Sequence, residues 1–153
     1  MSLSDRIFDS AWSHLLCQRA KSLAGGTSSG LALYGAAGRR DPVGLFIDIE
    51  QYEPDLEERR ASDPLVIAAI ERSIEEPLDD DCVSLLVALS RIHREVDPVD
   101  WGASLRDLAL KYGFSVPKAP GPLTRLNHFL VRVERERWGF RLGYGQPPDK
   151  WLA

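Results

Sequence analysis

The chain has 153 residues, 44% hydrophobic and 27% charged, with 19 Lys/Arg against 23 Asp/Glu for a formal net charge of −4. At that length one globular domain buries roughly 68–70% of its unfolded surface and needs no metal or disulfide staple. The composition excludes disorder and low complexity, two cysteines make no disulfide framework, and no apolar run reaches the ~18 residues of a membrane span.

The N-terminus, Met1-Ser2-Leu3-Ser4-Asp5-Arg6, lacks the basic-then-apolar order of an export signal. With Cys17 and Cys82 both in apolar helical patterns, a reducing cytoplasm is the expected compartment. Residues 4–21 predict an amphipathic helix, capped by Ser4 and burying Ile7, Phe8, Ala11, Trp12, Leu15 and Leu16. Gly25-Gly26-Thr27-Ser28-Ser29-Gly30 breaks it. Over 31–52 a hairpin is expected, with Leu31–Tyr34 as one arm and Leu45–Ile49 as the other; a short helix from the same apolar run is the alternative.

Asp-Pro followed by Val or Leu occurs at 41–43, 63–65 and 97–99. Asp caps helix N-termini, and Pro at the first helical position gives up an N–H that would be unpaired there anyway. Helices are therefore expected to start at Asp63 and Asp97, the first ending at Pro77. Asp79-Asp80-Asp81 caps another, whose Cys82, Val83, Leu85, Leu86, Val87, Ala88, Leu89 and Ile92 are apolar almost all round, as a central buried helix would be. The helix after Asp97 ends at Gly113-Phe114, where Gly takes the left-handed conformation and Phe folds back.

Pro117, Pro120, Gly121 and Pro122 read as a linker. Beyond it Leu126, Phe129, Leu130 and Val133 give one helix face, and Trp138, Phe140, Leu142 and Tyr144 alternate as in a strand. The expected fold is mainly α, with five to six helices around a central buried helix and a small β-hairpin or short sheet; α+β is the alternative. Residues 1–117 form an acidic, mostly helical domain, and 118–153 a basic helix-plus-strand extension packed on it. Seven of the Lys/Arg but only three of the Asp/Glu fall in 118–153, giving +4 there and −8 in the body.

Residues from Ile7 to about Val116 resemble a family of small bacterial and phage-type proteins with no assigned activity. The resemblance runs through Ile7-Phe8-Asp9, His14-Leu15, Gln18, Lys21-Ser22, Tyr34-Gly35, Gly38, Val43-Gly44, Ile47 and Tyr52. It continues through Leu89 to Ile92-His93, Trp101, Leu105, Leu108-Ala109 and Tyr112-Gly113. In that family cysteines often stand where this chain has Leu31 and Asp41, so any metal or redox purpose they served is lost here. The resemblance implies one mostly helical cytosolic domain and no chemistry.

Candidate chemistry is sparse. No CxxC, Walker loop or HExxH is present, and Gly30, Gly35 and Gly38 are spaced wrongly for a dinucleotide turn. His14 and Cys17, three apart on a helix, could share a zinc site with His93 and Cys82, against which stands ordinary packing. Asp48 and Glu50 would share one face of a strand and are weak metal candidates, with Arg39-Arg40 nearby for a phosphate. Glu75, Glu76, Asp79, Asp80 and Asp81 form an acidic surface for a basic partner, or simply a capped helix start. Arg125, His128, Arg132 and Arg135 form a basic stripe continued by Arg141, with Trp138 and Tyr144 interleaved. Arginine among aromatics binds phosphates and stacks bases.

The leading expectation is a non-enzymatic protein-interaction module, a small regulator or inhibitor of the kind mobile elements encode, with no cofactor and no membrane partner. Its partner is another protein or a second copy of the chain. A nucleic-acid binder acting through the basic segment is the alternative, and a metal-dependent hydrolase or nuclease around Asp48, Glu50, Arg39 and His93 the third reading.

Overall fold

The computed structural model describes residues 1–23, 34–36 and 38–121. The first helix, α1 (Leu3–Gln18), has its cap two residues earlier than the sequence suggests. A capping box needs an acid three residues after the cap. Ser2 and Asp5 meet that spacing, whereas Ser4 is followed at that distance by Ile7. Accordingly Ser2 Oγ accepts the Asp5 N–H at 3.1 Å, and Asp5 accepts the Ser2 N–H at 2.8 Å, which moves the cap from Ser4 to Ser2. The helix stops at Arg19, which takes the left-handed conformation at φ 52°.

Asp63 caps α2 (Pro64–Ile74) through the Leu65 N–H, and Asp79 caps α3 (Asp80–Glu95) through the Cys82 N–H. Asp97 caps a single 3-10 turn, Pro98–Asp100, that leads into α4 (Trp101–Tyr112). α4 ends as expected: Gly113 sits at φ 74°, and the Phe114 N–H returns to the Ala109 carbonyl at 2.9 Å.

α1, α3 and α4 each pack against the other two. Their shared core holds Ile7, Phe8, Ala11, Trp12 and Leu15 from α1, Leu85, Leu86 and Leu89 from α3, and Trp101, Leu105 and Ala109 from α4. Each large side chain buried there stabilises the fold by roughly 1.5–3 kcal/mol. α2 lies against a 3-10 turn at Gly44–Phe46. The described part is mainly helical, with four α-helices among the described residues. Another expected helix, through Arg125–Arg135, and the strand at 138–144 lie outside them.

Two expectations change. Leu45–Ile49 is not a hairpin arm. The only paired strands among the described residues are β1 (Gly35–Ala36) and β2 (Arg39–Arg40), antiparallel, with Gly35 opposite Arg40 and Ala36 opposite Arg39. The expected turn residues are thus the ladder, while Leu31–Leu33 lie outside the described residues. Past β2, Asp41 Oδ1 accepts the N–H groups of Val43 (2.6 Å) and Gly44 (3.1 Å), which curls the chain into a helical turn instead of extending it. Second, α3 is not buried all round. Ser84, Val87, Arg91 and Arg94 form an open stripe at helical spacing, and Val87 is 40% exposed.

Candidate functional site

The most polar part of the interior lies where β2, α3 and the end of α1 meet. Asp41 is fully buried. Besides the two amides on Oδ1, its Oδ2 accepts the Ser90 hydroxyl at 2.7 Å, and its own N–H donates to the Tyr34 carbonyl at 3.1 Å. Asp41 therefore ties Tyr34, the following turn and α3 together, the first through its N–H and the other two through its carboxylate. Burial pushes its pKa up to about 6, against the opposing pull of Ser90, the amides and the Arg94 charge.

His93, one turn beyond Ser90 on α3, has its ring stacked on Trp101 with centroids 5.5 Å apart. Its Nε2 accepts the Ser22 N–H at 2.9 Å, so the proton of the neutral ring sits on Nδ1. Among the described residues Nδ1 has no hydrogen-bond partner, and it lies 4.0 Å from Asp41 Oδ2. Burial first, then the charges of Arg94 and Lys21, hold His93 down at about 3. Around this pair, the Gln18 side chain grips the Arg40 backbone at both its N–H (3.0 Å) and its carbonyl (2.9 Å), and His14 Nε2 donates to the same carbonyl at 2.7 Å. Glu57 accepts the N–H groups of Tyr34 and Gly35 and the Tyr52 hydroxyl, and burial raises its pKa. Arg94 lies over the Tyr34 ring, 5.8 Å from its centroid.

Ser90, His93 and Asp41 are the residue types of a hydrolytic triad, but their connections are those of a structural network. In a triad the serine hydroxyl meets the imidazole Nε2 and the aspartate meets Nδ1–H. Here the serine donates to the aspartate and Nε2 is occupied by a backbone amide. No proton route leads from Ser90 to His93. All three side chains are also closed to solvent, so no substrate reaches them.

The other candidates fall as follows. The proposed zinc set does not assemble: His14 donates to Arg40, His93 accepts from Ser22, and Cys82 lies eleven residues from His93, about 16 Å along α3. Burial and the neighbouring Asp79 also push the Cys82 thiol up to about 12, so it is no thiolate at neutral pH. Cys17 is half-buried on α1. Asp48 and Glu50 are exposed in a turn and not on a strand, and the Asp48 N–H donates to Ser73 Oγ at 2.8 Å. No group of three or more His, Cys, Asp or Glu stands ready to hold a metal among the described residues. Arg40 turns inward, donating to the carbonyls of Gly44 and Ile47.

Of the acidic cluster, Glu75 ends α2 in the left-handed conformation, Glu76 pairs with Arg6, and Asp79 is the α3 cap, with Asp80 and Asp81 in its exposed first turn. Arg125, His128, Arg132, Arg135, Trp138, Arg141 and Tyr144 lie outside the described residues.

Sequence reasoning passed over Asp41, Ser90 and Gln18. The one available signal for Asp41 was its membership of the Asp-Pro-Val/Leu set. Nothing local marks Ser90, because its partner is 49 residues away.

The surface adds a feature the sequence did not show. α3 and α4 form a groove of about 320 Å³, floored by Ala88, Ile92, Val96 and Leu108 and rimmed by Arg91 and Glu95 on one side and Asp107 and Lys111 on the other. Val87 and Leu110 are exposed on the same two helices, Leu110 at 78%. Among the described residues no helix is long and apolar enough to cross a membrane. No family model, curated protein or solved structure matches the chain.

Proposed function

We propose that this chain is a cytoplasmic protein-interaction module, a small regulator or inhibitor that acts by binding another protein instead of turning over a substrate. One observation carries the reading: Asp41, Ser90 and His93 are enclosed in the core as braces, while the α3–α4 groove presents an aliphatic floor to solvent. The floor residues Ala88, Ile92 and Val96 recur every four residues along α3 and its end, and Leu108 faces them from α4. That shape receives an amphipathic helix with apolar residues at i, i+3 or i+4, and i+7. The rim carries two charges of each sign, so the matching helix carries both signs on its flanks, and its capture weakens with salt.

The test compares the immobilised full-length protein with its Ala88→Arg variant, which places a charge on the groove floor. Ala88 is only half-buried, and an unchanged thermal melt shows that the variant folds. A partner retained by the wild type at low salt and lost from the variant supports the reading. Identical capture by both proteins overturns it. So does retardation of DNA or RNA at low salt that disappears in Arg132→Ala/Arg135→Ala, which would move the function to the basic segment.

A further inference from the structure

The floor of the α3–α4 groove is apolar, but its two rims are charged in a fixed order. α4 starts where α3 ends: the Trp101 ring stacks on His93 with centroids 5.5 Å apart, and Trp101 Nε1 donates to the Val96 carbonyl at 3.2 Å. Near the far end of α4, Lys111 still lines the groove together with Ala88 from the middle of α3. The two helices therefore run along the groove in opposite directions.

Opposite directions put like charges abreast. On α3, Glu95 lies about 6 Å closer to the α3–α4 connection than Arg91 does. On α4, Asp107 lies closer to it than Lys111 by about the same distance. Both carboxylates thus stand at the connection end of the groove and both cations at the other. Arg91 Nε donates to Glu95 Oε2 at 2.8 Å, but the pair is exposed and still forms a dipole along its rim, in the same sense as Asp107 and Lys111. The macrodipoles of α3 and α4 do not undo this order, because antiparallel helices largely cancel each other.

On the interaction-module reading, on which this step rests, we propose that the groove selects the charge order and direction of its partner. The occupant is a helix with an acidic first turn, an apolar face and a basic last turn, and it lies parallel to α3. Its basic turn covers Glu95 and Asp107, and its acidic turn covers Arg91 and Lys111. Direction follows from the helix itself, which is stabilised by acids at its N-terminus and bases at its C-terminus. Only a start at Arg91 and Lys111 satisfies the rims and that preference together. From Ala88 to Val96 the floor runs about 12 Å, roughly two helical turns, so one short helix reaches both ends.

The test uses the full-length protein and a synthetic peptide stapled as a helix, with leucines on one face, glutamates in its first turn and arginines in its last. A spin label on the peptide N-terminus reports direction by broadening nearby amide signals. Broadening is expected around Ala88, Arg91 and Lys111 and not around Val96 and Ser104. Exchanging the rim charges (Arg91→Glu, Glu95→Arg, Asp107→Lys and Lys111→Asp together, all exposed) should move it to the other end. A stapled peptide with the same residues but alternating charges should bind about tenfold more weakly, and high salt should erase that difference. Equal broadening at both ends, or a direction that the exchanged rim leaves unchanged, overturns the proposal. If Ala88→Arg still abolishes that binding, the interaction-module reading survives. Absence of peptide binding, or binding that Ala88→Arg leaves intact, overturns both. A dimer mass that Ala88→Arg reduces to a monomer also overturns the proposal, since the occupant would then be a second copy.

Discussion

Asp41 and Asp97 begin the same three-residue motif and make the same local bond. In each, Oδ1 accepts the N–H two residues on, at 2.6 Å in the first and 3.0 Å in the second; Asp63 does likewise at 2.9 Å. Their surroundings differ. Asp97 is exposed and serves one turn. Asp41 is fully buried, and its second oxygen reaches Ser90 on α3. A cap that costs little at the surface becomes, in the interior, a joint on which three elements depend. The motif specifies the turn, and burial decides how much rests on it.

The largest effect expected is at Gly44, which closes the Asp41 turn. A Cβ there would sit 2.0 Å from the Tyr34 carbonyl oxygen, and backbone cannot yield as a flexible side chain does. Gly44→Ala must push the turn away from Tyr34, breaking both the Gly44 N–H bond to Asp41 and the Asp41 N–H bond to Tyr34. A loss of about 3 kcal/mol or more is expected in urea unfolding. Gly102→Ala is the contrast: its Cβ makes only an ordinary contact, and the helical gain of Ala over Gly, about 1 kcal/mol, makes it neutral or stabilising. Equal losses at the two positions would remove the special status of the Asp41 turn.

The same contrast explains which parts of the fold were legible. The caps at Asp63, Asp79 and Asp97 and the reversal at Gly113 rest on bonds between residues two to five apart, so the sequence shows them directly. Apolar periodicity alone points to a cap at Ser4, whereas the Ser2-x-x-Asp5 spacing is what fixes it at Ser2. The hairpin was misplaced for a deeper reason. Leu45–Ile49 has a strand's composition, but the Asp41 carboxylate captures the Val43 and Gly44 amides first, and it is held there by Ser90 from a distant helix. The outer stripe of α3 was hidden because Val87 is apolar yet faces outward. As for the site, the buried polar residues carry no pattern of their own until the packing of α1, α3 and β2 defines them.

Burial also sets the pH response of the Asp41 joint, and the sign differs between its two titrating members. Asp41 has a folded pKa of about 6, above the ordinary 3.8, so its contribution is complete below pH ~4 and is lost as pH rises toward and through 6. His93, held at about 3 against an ordinary 6.5, contributes fully above pH ~6.5 and is lost as pH falls toward 3. Between about pH 4 and 6 the two oppose each other. Asp41→Asn keeps the acceptor for Val43 and Gly44 and leaves His93 alone, so relative to wild type its stability rises with pH across that window. His93→Gln, with an acceptor for Ser22, does the reverse. Two pH units at 1.36 kcal/mol each put either change at roughly 3 kcal/mol. Parallel pH profiles for the three proteins in urea unfolding would show that neither group titrates as its surroundings require.

The smallest expected effect completes the comparison at the exposed cap. Asp97→Ala removes the bond to the Val99 N–H, but water reaches that amide, because both residues are exposed. The cost is that of an ordinary N-cap, about 1 kcal/mol, and Asp97→Ser recovers most of it. Asp63→Ala should cost only slightly more, because its 3.3 Å pair with Arg59 is partly exposed and such pairs are worth little. Asp41→Ala, in contrast, strands the Ser90 hydroxyl and two amides away from water, each a penalty of about 1–3 kcal/mol. Relief of the buried charge offsets part of that loss at neutral pH, so the comparison belongs near pH 4, where Asp41 is protonated in the fold. If Asp97→Ala and Asp41→Ala cost the same there, the difference between the two motifs lies in their charge and not in what their burial joins.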